Sequence, residues 1–483
     1  MGRRGSSPDG DVAPGRSIGM IAALLSGGLS AALVATILLP IQSVLPELLG
    51  APREATAWAI TITLLTNAIT TPIAGKLGDM YGRRRVLLCL LALQLIGAVI
   101  AGLAASVGQF IVGRGLQGAA MGAIPLGIAI MRDFLPSRSL GPSIGFMSAT
   151  IGVGGALGLP LAGVVATHLD WRALFWISGA LSLMSILLIV WLVPESPTRA
   201  RGALDVIGGV LLAGALTALL LGITQGQAWG WITWPTLGAL AGGCVVMGIW
   251  IVWELRADNP IADIRVAFRP TVLLTNVTSA ALSFAVFAGN IIFPQLLLAP
   301  ADGGLGAGIS LEATGLVLLA GSVALVVVSP IAGRLLRWAG PKMMLCLGGA
   351  ISAAAYALAL GAGGSAALLT LSTILVGVAA GTSYAAMPTL IMRSVRITDT
   401  GAANGLNALM RAIGTTLAAA SIGAVYGSGA VSVAGQSVPT DSAFSLTLLL
   451  ALAAGTIVTL IALTIPDGGR RAPGAAEPGH RSA

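Results

Sequence analysis

Long apolar stretches recur along almost the whole chain, and they limit its fold more than any other feature. A helix needs about 20 largely apolar residues to cross the hydrocarbon of a bilayer. Fourteen segments meet that criterion, at approximately 18–45, 56–76, 86–105, 109–131, 142–167, 173–193, 206–224, 235–253, 270–298, 311–335, 342–362, 366–391, 401–426 and 443–465. Little is left to make a polar surface, since 9% of the 483 residues are charged against about 25% in a soluble globular protein. The 66 glycines lie inside the apolar stretches without a three-residue period. That suits membrane helices, whose backbones approach closely, and excludes a collagen-like or disordered chain. The first stretch follows Arg3, Arg4 and Arg16. It is longer than the apolar core of a signal peptide, about 7–15 residues, and reads as an uncleaved span.

A net charge of +8 could point to a nucleic-acid partner, but the basic residues are distributed as topology signals. Of the 26 Lys and Arg, only Arg53 and Arg172 fall in loops after odd-numbered spans, and only Arg114 and Arg411 lie inside spans away from their cytoplasmic ends, where Lys76, Arg334 and Lys342 are counted with the adjoining loops. All others fall in the tails and in loops after even-numbered spans. The positive-inside rule then places both termini in the cytoplasm, in a multi-pass protein of the cell inner (plasma) membrane with no nucleic-acid partner. A miscount by one helix would scramble the alternation. The ten tryptophans lie near span ends, with Trp229, Trp231 and Trp234 clustered on the outer face. Cys89, Cys244 and Cys346 lie in apolar runs without a Cys-x-x-Cys pattern and read as buried, inert thiols.

The chain also repeats itself. Thr71-Pro-Ile-Ala-Gly75 recurs as Ser329-Pro-Ile-Ala-Gly333, and Gly82-Arg83-Arg84 downstream corresponds to Gly340-Pro341-Lys342. These loops follow spans two and ten, so the expected fold is an all-α integral membrane protein of two six-helix bundles plus two additional central helices. The expected parts are a cytoplasmic tail (1–17), an N-terminal bundle (18–193), two inserted helices with their loops (194–269), a C-terminal bundle (270–465) and a second cytoplasmic tail (466–483). Parallel repeats about an axis along the membrane normal are a transporter plan with the cavity between the halves, near the midplane.

Gly75-Lys-Leu-Gly-Asp79-Met-Tyr-Gly82-Arg83-Arg84-Arg85 resembles the signature loop of the major facilitator superfamily. Arg114-Gly-Leu-Gln117-Gly118 in span four resembles a motif of its drug:proton antiporters. Gly154-Gly-Ala-Leu-Gly158-Leu-Pro160-Leu-Ala-Gly163 in span five is similar to their antiporter motif, with Leu159 where the family has a glycine. Asp170-Trp171-Arg172 with Phe175-Trp176 resembles the start of span six in the fourteen-helix branch. The resemblance implies bundles of the major facilitator type, a small-molecule substrate, protons as the coupling ion, a monomer in the bilayer and no cofactor.

The residues themselves support specific roles. Gly82 permits a tight turn with positive φ. Asp79 can accept hydrogen bonds from nearby arginines or cap a helix N-terminus, forming with Gly75, Arg83 and Arg84 a latch that breaks when the halves rock. The alternative is a solvated turn whose arginines only fix topology. Gly154, Gly158 and Gly163, with a kink at Pro160, predict a hinge or seal between the halves, or else ordinary packing of small residues. Arg114 and Arg411 are charges inside spans and face the interior or snorkel to an interface. Gln117 and Asn407 join them as candidate lining of the route, along with Gln42, Asn67, Asn276, Asn290, Gln295 and Tyr384.

No Asp or Glu lies in the middle of any expected span. The fourteen-helix antiporters typically carry an aspartate in span one, where Ala31 stands here. Candidate proton carriers are therefore Glu47, Asp79 and Asp133 at span edges, or the substrate's own proton. Two interior arginines without acids favour anionic or neutral amphipathic cargo. The leading reading is a proton-driven exporter of small organic molecules; an uptake carrier or uniporter is the alternative. An enzyme has little to work with, since His168 and His480 are the two histidines and no metal-ligand cluster is present in the sequence. A channel filter and a Walker loop have no recognisable signature either.

Overall fold

The computed structural model describes residues 14–38, 41, 45–197, 204–261, 264–301, 304–428, 430–433 and 436–466. Most of both tails, Gln42 and His480 fall outside them. Backbone amides in lipid must find partners within the chain, which a helix provides locally, and the described residues are overwhelmingly helical. In order they form α1 (Pro14–Thr36), α2 (Leu45–Leu49), α3 (Arg53–Tyr81), α4 (Arg83–Gly102), α5 (Val107–Gly118), α6 (Ala123–Phe134), α7 (Ser137–His168) and α8 (Ala173–Leu192). There follow α9 (Val206–Trp229), α10 (Trp234–Glu254), α11 (Ile264–Ala267), α12 (Pro270–Leu298), α13 (Leu311–Leu360), α14 (Ala366–Ser394), α15 (Thr400–Ser428) and α16 (Asp441–Thr464). An antiparallel hairpin, β1 (Ala430–Val433) with β2 (Gln436–Pro439), links the last two helices. Ten helices among the described residues are long and apolar enough to cross a membrane.

The repeat seen in sequence extends to backbone geometry. Gly82 joins α3 to α4 with φ 110°. Gly340, its counterpart, has φ 77° and breaks the fifty-residue α13 between the tenth and eleventh expected spans. Side chains rarely tolerate that region of φ, so both corners need glycine. The fourth expected span is also interrupted, by a 3₁₀ turn at Ala119–Gly122 between α5 and α6. It follows Gly118, whose Cα faces the Thr63 backbone so closely that a Cβ has no room; the tighter turn keeps both halves of the span against α3.

Helices α1 and α3–α8 pack around two buried clusters, one centred on Leu91, Leu126 and Met131 and one on Phe110, Trp171 and Phe175. In the second cluster the rings meet edge to face with centroids 5.2–5.8 Å apart. Helices α12–α16 surround two further clusters. The sequence assigns no packing partner to the inserted helices. In the structure Leu212, Leu216 and Leu220 of α9 share a buried cluster with Leu65 and Ala68 of α3 and Leu409 of α15, so α9 touches both bundles. Helix α10 packs on α9 through Trp250 and exposes most of its surface. One sequence expectation needs correction: Cys89 and Cys244 are exposed, and only Cys346 is buried. Lipid and protein interior are equally apolar, so an apolar run does not reveal which a thiol faces.

Within the N-terminal bundle, α4 and α5 touch backbone to backbone: a Cβ on Gly113 would lie 2.8 Å from the Gly97 carbonyl oxygen. Gly113→Val is expected to destabilise the protein by about 1–3 kcal/mol through overpacking. Gly242→Val, where nothing lies within 4 Å, is expected to leave the thermal unfolding midpoint in detergent unchanged.

Candidate functional site

The two bundles meet along two seams, α3 on α15 and α7 on α13. In each, the repeated x-Pro-Ile-Ala-Gly segment presses on a pair of glycines four residues apart. Gly75 lies against the Gly401 carbonyl, and a Cβ on Gly405 would be 3.1 Å from Cα of Pro72. On the other seam Gly333 lies against Gly141, and a Cβ on Gly145 would be 3.0 Å from Cα of Pro330. The repeat thus has a second half, Gly141-x-x-x-Gly145 with Gly401-x-x-x-Gly405, that the sequence analysis missed. The letters were present, but with 66 glycines in the chain a four-residue spacing carries little signal.

Among the described residues, the α3–α15 seam carries a buried ion-pair cluster. Asp79, at the end of α3, accepts hydrogen bonds from Arg83 Nε (2.9 Å) and Nη2 (2.7 Å). It also accepts from the amides of Gly401 (3.1 Å) and Ala402 (2.9 Å). Those amides open α15, where the helix dipole favours an anion. Arg83 is fully buried and additionally donates to Asp133 (2.6 Å) and to the Ile397 carbonyl (2.7 Å) across the seam. Next to Asp133, Arg132 donates to the Thr400 hydroxyl and to the Met392 carbonyl (2.7 Å). Burial raises the Asp79 carboxyl above its usual range, opposed by Arg83 and the two amides. The solvated-turn alternative does not describe this loop. Arg84 leaves the cluster, donating to the Val190 carbonyl (2.6 Å) with its amide on Glu195 (3.2 Å), and Arg85 is exposed beside Glu195.

Among the described residues no such ion-pair cluster is seen on the other seam. The residue corresponding to Asp79 is Arg337, which is exposed, and the residue corresponding to Ala402 is Pro142, which has no amide hydrogen. One seam is latched and the other is held by backbone contact.

The antiporter-like glycines of α7 lie elsewhere than expected. Gly154 and Gly158 face Ala32 and Thr36 of α1, inside the N-terminal bundle, and Thr36 Oγ1 donates to the Gly154 carbonyl (3.0 Å). Gly152, one residue pair earlier, faces Leu325 of α13. The expected seal between the halves therefore falls on Gly141, Gly145 and Gly152. Pro160 and Gly163 continue the same helix, with the Pro160 side chain outside the described set.

Arg114 is 1% exposed and does not snorkel. It donates to Gln117 Oε1 (2.8 Å) and to the Val34 carbonyl (3.2 Å), and Gln117 passes the chain on to Ser178 (3.3 Å). All its partners are neutral. In the C-terminal bundle Asn407 donates to Asn276 Oδ1 (3.0 Å) and Ser279 Oγ (2.7 Å). The Arg411 guanidinium stands 5.4 Å from the Tyr384 ring centre. Of the three edge carboxylates, Glu47 is exposed on α2, while Asp79 and Asp133 share Arg83.

Comparison with known proteins agrees with this architecture. The family model of the Major Facilitator Superfamily matches residues 24–419 and 308–483, and the chain belongs to that superfamily. It is 28% identical over 419 residues to the tetracenomycin C resistance and export protein of Streptomyces glaucescens, covering 86% of this chain and 77% of that one. It is 26% identical over 376 residues to the multidrug resistance protein Stp of Mycobacterium tuberculosis, covering 77% and 69%. An uncharacterized MFS-type transporter of Mycobacterium tuberculosis matches at 29% over 411 residues, 84% of this chain but only 58% of that protein's length. Among solved structures, the human organic anion transporter MFSD10 superposes with a TM-score of 0.64 at 16% identity, covering 92% of this chain and 99% of that one.

Removing one partner of a buried ion pair costs about 3–5 kcal/mol because the other charge is left uncompensated. Asp79→Ala is therefore expected to open the α3–α15 seam. The check is maleimide labelling of a cysteine placed at Thr71, which is 2% exposed in the closed seam. Labelling should rise at least tenfold over the same cysteine with Asp79 intact.

Proposed function

We propose that this member of the superfamily is a secondary-active exporter of small drug-like or amphipathic organic molecules, exchanged for protons by alternating access. It would cross the plasma membrane fourteen times with both termini in the cytoplasm, α5 and α6 counting as one crossing and α13 as two. The two bundles, 18–193 and 270–465, would rock about a central route as a monomer, with the insertion at 194–269 riding on one seam. The observation that carries the reading is the latch: Asp79 and Arg83 hold the start of α15 through contacts that a relative rotation would break together. The names of relatives, a tetracenomycin C export protein and a multidrug resistance protein, support the export direction.

Gly75 and Gly82 would set the seam and the corner of the gate. Arg114, Gln117, Asn407 and Arg411 would line or order the route. Asp79 and Asp133 are the carboxylates best placed to couple protonation to opening, because each holds Arg83; Glu47, exposed, is the weaker candidate. The absence of an acid from the middle of every expected span favours a second reading, a carrier or uniporter that moves its substrate without a proton.

The test is purified protein in vesicles with a pH gradient of either sign and a panel of anionic, neutral and cationic aromatic compounds. Accumulation that follows the gradient supports exchange; equal fluxes at zero gradient favour the uniporter. Arg114→Ala is expected to lower flux at least tenfold, as loss of a buried, hydrogen-bonded charge should. Unchanged flux of every compound would remove Arg114 from the mechanism.

A further inference from the structure

Arg411 lies eleven residues into α15, about 16 Å along the helix, and thus near the middle of a hydrocarbon core about 30 Å thick. Tyr384 on α14 is ten residues from its helix end, a similar depth. Ser283 of α12 stands beside the Tyr384 phenol. The first bundle reaches the same place: Ser148 Oγ of α7 donates to the Tyr384 carbonyl (3.0 Å), and Ala149 shares a buried cluster with Tyr384 and Leu282. These groups meet where the two bundles face each other at mid-depth.

What distinguishes Arg411 is the lack of an answer to its charge. Arginine keeps its proton inside proteins. Arg114, the other interior arginine, has two oxygen acceptors. Among the described residues Arg411 has only the face of an aromatic ring, and its Nε, like that of Arg114, is buried without a hydrogen-bond partner. The residue nevertheless keeps accessible surface. A ring face contributes about 0.5–2 kcal/mol to a cation, far less than removing a guanidinium from water demands. An interior cation with free donors, an aromatic wall and apolar neighbours is a half-built ion pair. A planar carboxylate matches its fork of donors in two parallel hydrogen bonds.

We propose that Arg411 and Tyr384 form a subsite for the carboxylate of an amphipathic organic anion. The substrate supplies the acid that the spans lack. This rests on the transport reading above for its purpose but not for its test. Asn407, one turn before Arg411 and tied to Asn276 and Ser279, fixes α15 against α12 and positions the arginine.

The experiment is calorimetric titration of the full chain in detergent with 1-naphthoate and with its uncharged isostere 1-naphthamide. Wild type is expected to bind the acid at least tenfold more tightly than the amide. Arg411→Gln should erase that preference without weakening amide binding, whereas Arg411→Lys should keep a reduced preference. Should Arg411→Gln fail to fold, Ser283→Asp provides the second arm. It places a carboxylate beside Tyr384, the ring that Arg411 faces, and should abolish the preference by answering the arginine's charge from within. Equal binding of acid and amide by wild type, or a preference that survives Arg411→Gln or Ser283→Asp, overturns the proposal. The two readings fail differently. Vesicles that export neutral compounds with no acid preference remove the subsite and leave the exporter. Acid-selective binding without transport of any compound removes the exporter and leaves the subsite.

Discussion

Helices in lipid gain nothing from hiding apolar surface from one another, because the surrounding tails are equally apolar. Association must come from close contact and from polar groups that find partners. Every functional feature of this protein follows from that constraint. Where Gly75 meets Gly401, and Gly141 meets Gly333, the backbones themselves are the contact surface. Such a seam is tight when closed and leaves no long side chains to disentangle when it opens. The seam suits an element that has to exist in two arrangements.

One of the two seams is made by backbone contact, and on the other a charged cluster adds to it. Arg83 draws two carboxylates, Asp79 and Asp133, into a site with almost no solvent. A buried ion pair is poor stabilisation for a fixed structure, since desolvation offsets most of its attraction. It is better suited to specifying one geometry. Here its remaining hydrogen-bonding capacity is spent on the amides of Gly401 and Ala402 and the carbonyl of Ile397, so its strength depends on the position of α15. The pseudo-symmetric seam carries Arg337 and Pro142 instead. The two seams share their packing but not their electrostatics, and α9 lies over the charged one.

The interior arginines extend the same logic. Arg114 is neutrally solvated by protein oxygens and ties α5 to α1, an ordering role inside one bundle. Arg411 faces the ring of Tyr384, whose carbonyl accepts from Ser148 of the opposite bundle. Similar residues in similar spans, they differ in what surrounds them. The same holds for the glycines of α7: Gly154 and Gly158 bind that helix to its own bundle, and Gly141, Gly145 and Gly152 face the other.

The sequence by itself determined the solvent, the helical class, the repeat and the corner at Gly82, because each depends on local composition or on a backbone conformation that only glycine adopts readily. It also placed Asp79 close to Arg83, since only four residues of chain separate them, although their pairing is made across the Gly82 corner between two helices. Only the tertiary structure decided which face of each apolar helix meets protein and which meets lipid. That choice set the exposure of Cys89 and Cys244, the packing of α9 across both bundles and the partners of Gly154. The physical reason is that a lipid-facing and a protein-facing residue are chosen from the same apolar alphabet, so the pattern that separates inside from outside in water is absent. What recognises what, as when Asp79 finds the first amides of α15 more than three hundred residues away, is settled only when the bundles dock.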